Sequence, residues 1–441
     1  MAPQTPNGSL TARQSVLIGV TLFSMFFGAG NLILPPLLGL QAGPGAPAAM
    51  VGFLVAGIGL PVLGIIAVAL NGTIRELASR VHPAFSAVFV AAVYLAIGPC
   101  LAIPRTSSTA FEMLLPLTGE GSNAELLRVG FSVVFFAVAY LLAMHPGQLT
   151  RLLGKVTGPL LVVLIVCVSV ASFVSPTGAV AAAQAPYDAN PALQGFETGY
   201  QTMDLLASLC FGIIIAENIK GMGVTDEAGL AREISKGSVL MAVLMGAIYC
   251  AFAYVGATMG TVMPSATNGA AILTASATAH FGVAGTVVVA AIFLLACLNV
   301  CVGLISCCGT YFHEQLPGVP YRAMAAGFAI FSCVVSNFGL DAILLFSVPL
   351  LSALYPVAIA LVAMGLAHRV LEQRRAVWPC VIVPVAIVSV SEAVRSAVAP
   401  GLWLPSDALP LTGLGFAWLV PALAGLVVGL ALSARASEHV A

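Results

Sequence analysis

Charged side chains are scarce in this chain: they make up 7% of its 441 residues, against about 25% in a typical soluble domain. Hydrophobic residues account for 60%, and long apolar runs follow one another with short polar connections. This composition excludes an ordinary soluble domain, and the formal net charge of −1 excludes the basic surface that nucleic acid binding requires. The sequence therefore predicts an all-α polytopic membrane protein whose surroundings are the lipid bilayer.

Signals of a disulfide framework and of a catalytic site are lacking as well. All ten cysteines fall in apolar runs, where small residues pack between helices, so we predict no disulfide framework. No histidine stands at a usable spacing from an acid or a serine, and no phosphate-cradling loop is present. We therefore predict that the chain is not an enzyme and holds no cofactor. The polar start, residues 1–14, has no cleavage-type end and is interpreted as a retained cytoplasmic tail.

Hydropathy predicts about twelve spans of roughly 20 residues each. They lie at 15–40, 48–70, 84–108, 129–145, 156–174, 199–219, 237–260, 284–310, 323–339, 342–366, 376–395 and 411–433. With the amino terminus inside, thirteen of the 16 lysines and arginines fall on the cytoplasmic side; the exceptions are Arg105, Arg128 and Arg395. Because positive residues concentrate in cytoplasmic loops, we expect a multi-pass protein of the cell (inner) membrane with both termini cytoplasmic.

Two predicted spans carry signs of a broken helix. Residues 25–36, MFFGAGNLILPP, place glycines, Asn31 and two prolines inside the first apolar run, and residues 208–212 interrupt span six in a similar way. Paired discontinuous helices in two inverted halves point to a transporter site, whereas close helix packing is the plain alternative for such glycines. We predict an inverted repeat of spans one to five (15–174) and six to ten (199–366), followed by spans eleven and twelve (376–433).

Five stretches resemble the branched-chain amino acid:cation symporter family, the BrnQ-like carriers. They are FFGAGNLILPPLLG (26–39), IGPCLAIPRTSSTAFE (97–112), GYQTMDLLASLCFGIII (199–215), ACLNVCVGLIS (296–306) and FSVPLLSALYP (346–356). The resemblance implies a LeuT-type fold of the amino acid-polyamine-organocation superfamily, with a five-plus-five inverted repeat and broken helices 1 and 6. It also implies sodium-driven symport of L-leucine, L-isoleucine and L-valine into the cell.

The residues themselves indicate how a zwitterionic amino acid is held. Backbone N–H groups at 29–31, where the second half of span one begins, suit the carboxylate because a helix N-terminus attracts anions. Carbonyls at the ends of the first half-helices, near 26 and 209–211, suit the ammonium, and apolar wall residues receive the branched side chain. The predicted substrate-binding set is Phe26, Phe27, Gly28, Ala29, Gly30, Asn31, Leu209, Phe211 and Gly212.

For the coupling cation, the resemblance to LeuT-type carriers implies a sodium site between carbonyls of spans one and eight. Related carriers have hydroxyl residues at 299 and 300, whereas this chain has Asn299 and Val300. An amide and backbone carbonyls still offer oxygen ligands, although Asn299 capping or cross-linking helices is the plain alternative. A second position uses the Asn31 side chain and the substrate carboxylate. The predicted sodium ligands are Ser24, Phe27, Asn31, Ala296 and Asn299, and H+ is the alternative coupling ion.

Three ionisable residues inside predicted spans are candidates for gating or coupling, because charge within a bilayer is costly. Arg105 and Asp204, near the outer ends of spans three and six, are predicted to form an external gate pair. Solvation by loops, or a pairing of Arg105 with Glu112, is the alternative. Glu217 is a candidate for proton uptake; in the competing interpretation it lies near the cytoplasmic end beside Lys220, snorkelling or paired.

The leading prediction is therefore a secondary active transporter that imports leucine, isoleucine and valine with sodium by alternating access. The alternatives are a proton-coupled carrier and a carrier of another small apolar amino acid. A transporter-like nutrient receptor ranks last, because the sequence shows no signalling domain or long cytoplasmic tail. A channel ranks low as well, since no polar stripe runs along several spans.

Overall fold

The computed structural model describes residues 10–117, 123–144, 158–399 and 401–438, and every regular element in these ranges is helical, as predicted. The α-helices are α1 (Ala12–Phe26), α2 (Ala29–Ala42), α3 (Ala46–Leu54), α4 (Leu60–Asn71), α5 (Ile74–Ser79), α6 (Pro83–Leu95), α7 (Ala102–Leu114), α8 (Ala124–Ala143), α9 (Gly158–Val174), α10 (Pro191–Tyr200), α11 (Asp204–Gly221), α12 (Glu227–Thr258), α13 (Gly269–Phe281), α14 (Val283–Gln315), α15 (Tyr321–Ser336), α16 (Leu340–Leu366), α17 (His368–Leu371), α18 (Val377–Val398) and α19 (Leu419–Glu438).

Each predicted span coincides with one helix or with two helices that meet at a short interruption. Spans one, two, three and six correspond to the pairs α1–α2, α3–α4, α6–α7 and α10–α11. In the described residues, seven helical stretches are long and apolar enough to cross a membrane, and the α10–α11 pair makes an eighth. The shorter apolar helices α1, α9, α15 and α19 account for the rest of the predicted topology. The cytoplasmic tail predicted at 1–14 lies mostly outside the described residues.

Contacts divide the chain into two compact units, each assembled from three segments. Unit 1 comprises Met1–Gly59, Leu95–Asp204 and Ser235–Leu344, and unit 2 comprises Leu60–Tyr94, Leu205–Ile234 and Leu345–Ala441. Their borders fall within helices and at the interruption before α11. The units therefore do not follow the borders of the two predicted sequence repeats.

In unit 1, α14 is the central helix and packs against α1, α7, α8, α13 and α15. Glycines allow a second close contact, between α3 and α10. A Cβ on Gly52 would overlap the carbonyl oxygen of Ala192, and a Cβ on Gly195 would overlap that of Ala49. Packing rather than a hydrophobic driving force associates helices in lipid, so this reciprocal pair fixes α10 against α3. The interruption that follows α10 is thereby anchored.

In unit 2, α18 packs against α19, again through small residues. A Cβ on Gly425 would overlap the carbonyl oxygen of Cys380. A polar contact joins α4 to α16: Asn71 Nδ2 donates to the carbonyl oxygen of Gly365 at 3.0 Å. A Cβ on Gly365 would lie 2.9 Å from Leu77 Cδ1, so both glycines allow a close approach between helices. All ten cysteines of the chain are free thiols.

Candidate functional site

Predicted span one is broken at two residues. α1 ends at Phe26, Phe27 and Gly28 are extended, and α2 begins at Ala29. The first intrahelical bond of α2 runs from the Leu32 N–H to the Gly28 carbonyl, at 3.2 Å. The N–H groups of residues 29–31 therefore have no intrahelical acceptor and form a small positive centre. The two prolines, at 35 and 36, lie inside α2 rather than at the break.

The side chain of Asn31 forms hydrogen bonds on both sides of this break. Its Nδ2 atom donates to the Phe26 carbonyl at 3.0 Å, across the interruption, and to Asp204 Oδ2 at 2.9 Å. Asn31 is 1% exposed and Asp204 is 3% exposed. The amide thus joins the end of α1 to the first residue of α11. The predicted roles of Asn31 in binding substrate and sodium remain predictions, and its contact with Asp204 was not foreseen.

The second break lies before the position that the sequence indicated. α10 ends at Tyr200 and α11 begins at Asp204, whereas residues 208–212 lie inside α11. The prediction of a break at 208–212 is therefore wrong. At the actual break Met203 has φ 67°, in the left-handed region that non-glycine residues seldom adopt, and Thr202 Oγ1 donates to the Gly199 carbonyl at 2.8 Å.

Arg105, on α7, lies against both breaks. Its Nη1 donates to the Gln201 carbonyl at 2.7 Å. A Cβ built on Gly30 would lie 3.1 Å from its Nη2, so the guanidinium rests directly on the first turn of α2. Asp204 faces the same guanidinium, as well as Thr202 and Tyr249.

The burial of Arg105 and Asp204 corrects one expectation. Arg105 is 2% exposed and Asp204 is 3% exposed, so the interpretation that loops solvate these two charges is wrong. Glu112, the alternative partner of Arg105, lies about 10 Å further along α7, since seven residues make two helical turns. Whether Arg105 and Asp204 form a gate remains a prediction.

A third interruption was missed by the sequence analysis. Between α6 and α7, residues 96–100 form a π-helical turn in which Gly98 has non-helical angles (φ −88°, ψ −126°). A Cβ on Gly98 would lie 2.8 Å from Cys308 Sγ of α14. The pair Gly98–Pro99 was the available signal. This turn sets the direction of α7 and so places Arg105 at the breaks.

Aromatic rings form a wall beside the first break. Phe27 is fully buried, and its ring stacks on Phe23 with centroids 4.9 Å apart. The ring of Tyr249 on α12 also stacks on Phe27, with centroids 6.5 Å apart, and it meets Phe53 edge-on at 5.2 Å. The unwound segment therefore combines backbone N–H groups that have no intrahelical acceptor with an apolar wall, which suits a ligand having a charged end and an apolar side chain.

The predicted sodium ligands all lie in unit 1 and are all buried. Ser24, Phe27 and Ala296 are fully buried. Asn299 is 3% exposed, and its Nδ2 has no hydrogen-bond partner in the described part of the chain. Val300, next to it, touches the break: a Cβ on Gly28 would lie 2.8 Å from Val300 Cγ2. A methyl group thus occupies the place where related carriers are expected to have a hydroxyl.

The remaining predicted residues belong to unit 2. Leu209 and Phe211 are fully buried within α11, where a backbone carbonyl ordinarily accepts the N–H four residues later. Their carbonyls are therefore not helix-end acceptors for an ammonium, which corrects that part of the expectation. Gly212 serves close packing, since a Cβ there would lie 3.0 Å from Val68 Cγ1.

In the part of the chain that it describes, the structure does not show the pairing of Glu217 with Lys220 that one interpretation of the sequence suggested. Glu217 and Lys220 are both exposed on α11, and no ion pair joins them in the described residues. The pairing of these two side chains is therefore not observed. Proton uptake by Glu217 remains a prediction.

Comparison with known sequences gives one consistent result. The sequence profile of a family described as "Branched-chain amino acid transport protein" matches residues 11–436. The "Branched-chain amino acid permease BraB" of Bacillus subtilis (strain 168) is 37% identical over 432 residues, which cover 96% of each chain. The "Branched-chain amino acid transport system 2 carrier protein" of Pseudomonas aeruginosa is 37% identical over 417 residues, 94% of each chain.

Solved structures resemble the fold at low sequence identity. Mhp1, a nucleobase-cation-symport-1 family transporter in a closed conformation with bromovinylhydantoin bound, aligns with a TM-score of 0.60 and 12% identity over 98% of this chain and 96% of its own. MhsT in complex with L-phenylalanine aligns with a TM-score of 0.52 and 13% identity over 97% of this chain and 99% of its own. The predicted LeuT-type fold is thereby confirmed.

Proposed function

The chain belongs to the branched-chain amino acid transport protein family, and on that premise we propose that it imports leucine, isoleucine and valine by sodium symport with alternating access. This is a family of transporters, not of enzymes. The chain is a multi-pass membrane protein, and we place it in the cell membrane with both termini in the cytoplasm.

The arrangement of Arg105 at the first break carries this proposal. The N–H groups of residues 29–31 form the positive end of α2, and the Arg105 guanidinium lies against Gly30, 3.1 Å from the place of a Cβ. A guanidinium and a helix N-terminus both favour a carboxylate, and the guanidinium binds one with two parallel hydrogen bonds. The backbone N–H of Asn31 belongs to this proposed carboxylate site, whereas its side-chain amide already donates both N–H groups, to the Phe26 carbonyl and to Asp204. All of these groups lie in one unit and are buried.

The substrate ammonium is assigned to acceptors on the other side of Asn31. The Phe26 carbonyl accepts one hydrogen bond, from Asn31 Nδ2, and a carbonyl oxygen has a second lone pair to offer. Asp204 Oδ2 accepts a hydrogen bond from the same amide nitrogen, and its carboxylate adds a charge opposite to that of the ammonium. A zwitterion would therefore place its two ends on the two sides of one side chain, Asn31.

The apolar wall of Phe27 and Tyr249 receives the substrate side chain in this proposal. An apolar pocket separates ligands that differ by one methylene by only about 1–3 kcal/mol. Leucine, isoleucine and valine should therefore compete with one another for transport. A carrier of other small apolar amino acids is the alternative in the same class.

Two coupling ions, sodium and H+, are compared through Asn299 and Val300. The buried Asn299 amide has an unused atom, and its oxygen and nitrogen exchange places when the amide turns by 180°. With the end carbonyls of α1, at Ser24 and Phe27, it would give sodium a set of oxygen ligands. The Val300 side chain, however, contributes no oxygen, which is the observation that favours H+ as the alternative.

Uptake of labelled leucine into proteoliposomes tests the function. A sodium gradient is imposed first, and a proton gradient alone second, with the membrane potential held fixed in both. Accumulation driven by sodium supports the proposal, and accumulation driven only by protons replaces sodium with H+ and makes Glu217 the residue to substitute. No accumulation under either gradient would contradict the assignment of branched-chain substrates.

A further inference from the structure

A cavity of about 370 Å³ whose lining includes charged side chains lies in unit 2, beside the ends of two long apolar helices. It is close to the end of α16 and the start of α18, where the connecting segment is rich in arginine. Its lining residues are Ser79, Arg80, Leu371, Glu372, Arg375 and Trp378. None of them belongs to the predicted substrate or sodium sites.

One guanidinium in this cavity is held in place by an aromatic ring. The Arg80 Cζ atom lies 5.3 Å from the centroid of the Trp378 ring, and Trp378 is 2% exposed. Such stacking restrains the planar guanidinium while its N–H groups stay available to an acceptor in the same plane. Arg80 is therefore a pre-oriented donor.

A second guanidinium, that of Arg375, lines the same cavity. Both arginines are exposed, and within the described ranges neither forms an ion pair with a carboxylate. Glu372 also lines the cavity, so two arginines and one glutamate leave one positive charge. The cavity adjoins the start of α18, a 22-residue helix whose N-terminus adds to the attraction for an anion.

We propose that this cavity binds the phosphate of an anionic phospholipid headgroup, with Arg80 and Arg375 as its ligands. A phosphodiester carries the single negative charge that the lining leaves unbalanced, and guanidinium groups match its oxygens. The ends of membrane helices lie at headgroup depth, and basic pockets between such helices on the cytoplasmic side bind anionic headgroups. Ser79 and Glu372 are placed to meet the hydroxyl groups of a headgroup such as glycerol.

Binding is measured on the purified full chain by native mass spectrometry, with phosphatidylglycerol as the probe. Diacylglycerol, which has the same acyl chains without phosphate, and inorganic phosphate are the comparison ligands. The variants are Arg375→Gln, Arg80→Gln and Arg80→Lys. Of these two arginines, Arg80 is the one that the structure places over the Trp378 ring. Arg322→Gln, which removes an exposed arginine at the start of α15, is the matched control.

We expect wild type and Arg322→Gln to retain phosphatidylglycerol, and each glutamine variant in the cavity to retain at least about tenfold less, because a charge-assisted hydrogen bond is lost. Arg80→Lys should fall between the two. Equal retention of diacylglycerol would mean that only acyl chains bind, and would overturn the proposal. Displacement of the lipid by an equal concentration of inorganic phosphate would assign the cavity to a free anion instead. Unchanged retention by Arg375→Gln and Arg80→Gln would also overturn it.

Discussion

Removal of the Arg105 guanidinium should weaken the preference for a free α-carboxylate. In the structure this group lies 3.1 Å from the place of a Gly30 Cβ and is fixed by a 2.7 Å hydrogen bond to Gln201. A carboxylate at the start of α2 would therefore meet both the helix N-terminus and the guanidinium. Leucinamide keeps the ammonium and the side chain of leucine but not the carboxylate charge, so the ratio of the two affinities isolates this contact.

The size of the effect follows from the kind of bond lost. A hydrogen bond to a charged group contributes about 1.5–3 kcal/mol, which corresponds to roughly 10- to 150-fold in affinity. Arg105→Gln also leaves the buried Asp204 without its facing cation, and an uncompensated buried charge destabilises the fold by itself. The useful comparison is therefore between Asp204→Asn and the double variant Arg105→Gln/Asp204→Asn.

Equilibrium binding of leucine and of leucinamide is measured on both variants by scintillation proximity or calorimetry. The ratio of the two affinities should fall by roughly 10- to 150-fold when Arg105 is removed from the Asp204→Asn background. Arg128→Gln is the matched control, because Arg128 also donates to a backbone carbonyl, that of Asn337, at 3.4 Å. An unchanged ratio in the double variant, with leucine still bound, would refute the assignment of the carboxylate site.

Three further results are expected from the first break. Gly28→Ala should reduce leucine uptake because its Cβ would lie 2.8 Å from Val300 Cγ2; adding Val300→Ala should restore uptake, and failure of this rescue would mean that the contact is not the cause. Val300→Ser should lower the sodium concentration for half-maximal uptake by supplying a hydroxyl oxygen, and no change in that concentration would count against the sodium site. Asn31→Ala removes two hydrogen bonds, so it should lower both the melting temperature and leucine affinity, whereas normal melting and binding would show that the break holds without it.

The first break could be predicted from sequence because its signals are local. The signal is the presence of Gly28 and Gly30 inside an apolar run, which indicates an unwound segment. In the structure a Cβ on Gly28 would meet Val300, and a Cβ on Gly30 would meet Arg105. The second break has no comparable signal. It occurs at Met203, a residue that seldom adopts a positive φ, so the surrounding structure rather than the local sequence must impose that conformation.

The polar centre of unit 1 was only partly predictable for a related reason. The sequence marks Arg105, Asp204 and Asn31 as unusual, because charged and polar groups in apolar runs are costly. It does not show that one amide bridges Phe26 and Asp204, since that contact joins residues 173 positions apart. Hydropathy also missed α13, which packs against α2 and α14 and was treated as part of a connection.

The charge moved with each substrate decides how strongly the membrane potential drives uptake. In the proposed symport a zwitterionic amino acid adds no net charge, so the charge that crosses per leucine would equal the number of coupling cations, whether sodium or protons. One charge is worth about 2.3 kcal/mol per 100 mV, or roughly fifty-fold in accumulation. In proteoliposomes with equal sodium and proton concentrations on both sides, and a potential set by a potassium gradient and valinomycin, leucine should therefore accumulate roughly fifty-fold per 100 mV for one cation. The square of that ratio would indicate two cations, and no dependence on potential would contradict electrogenic symport.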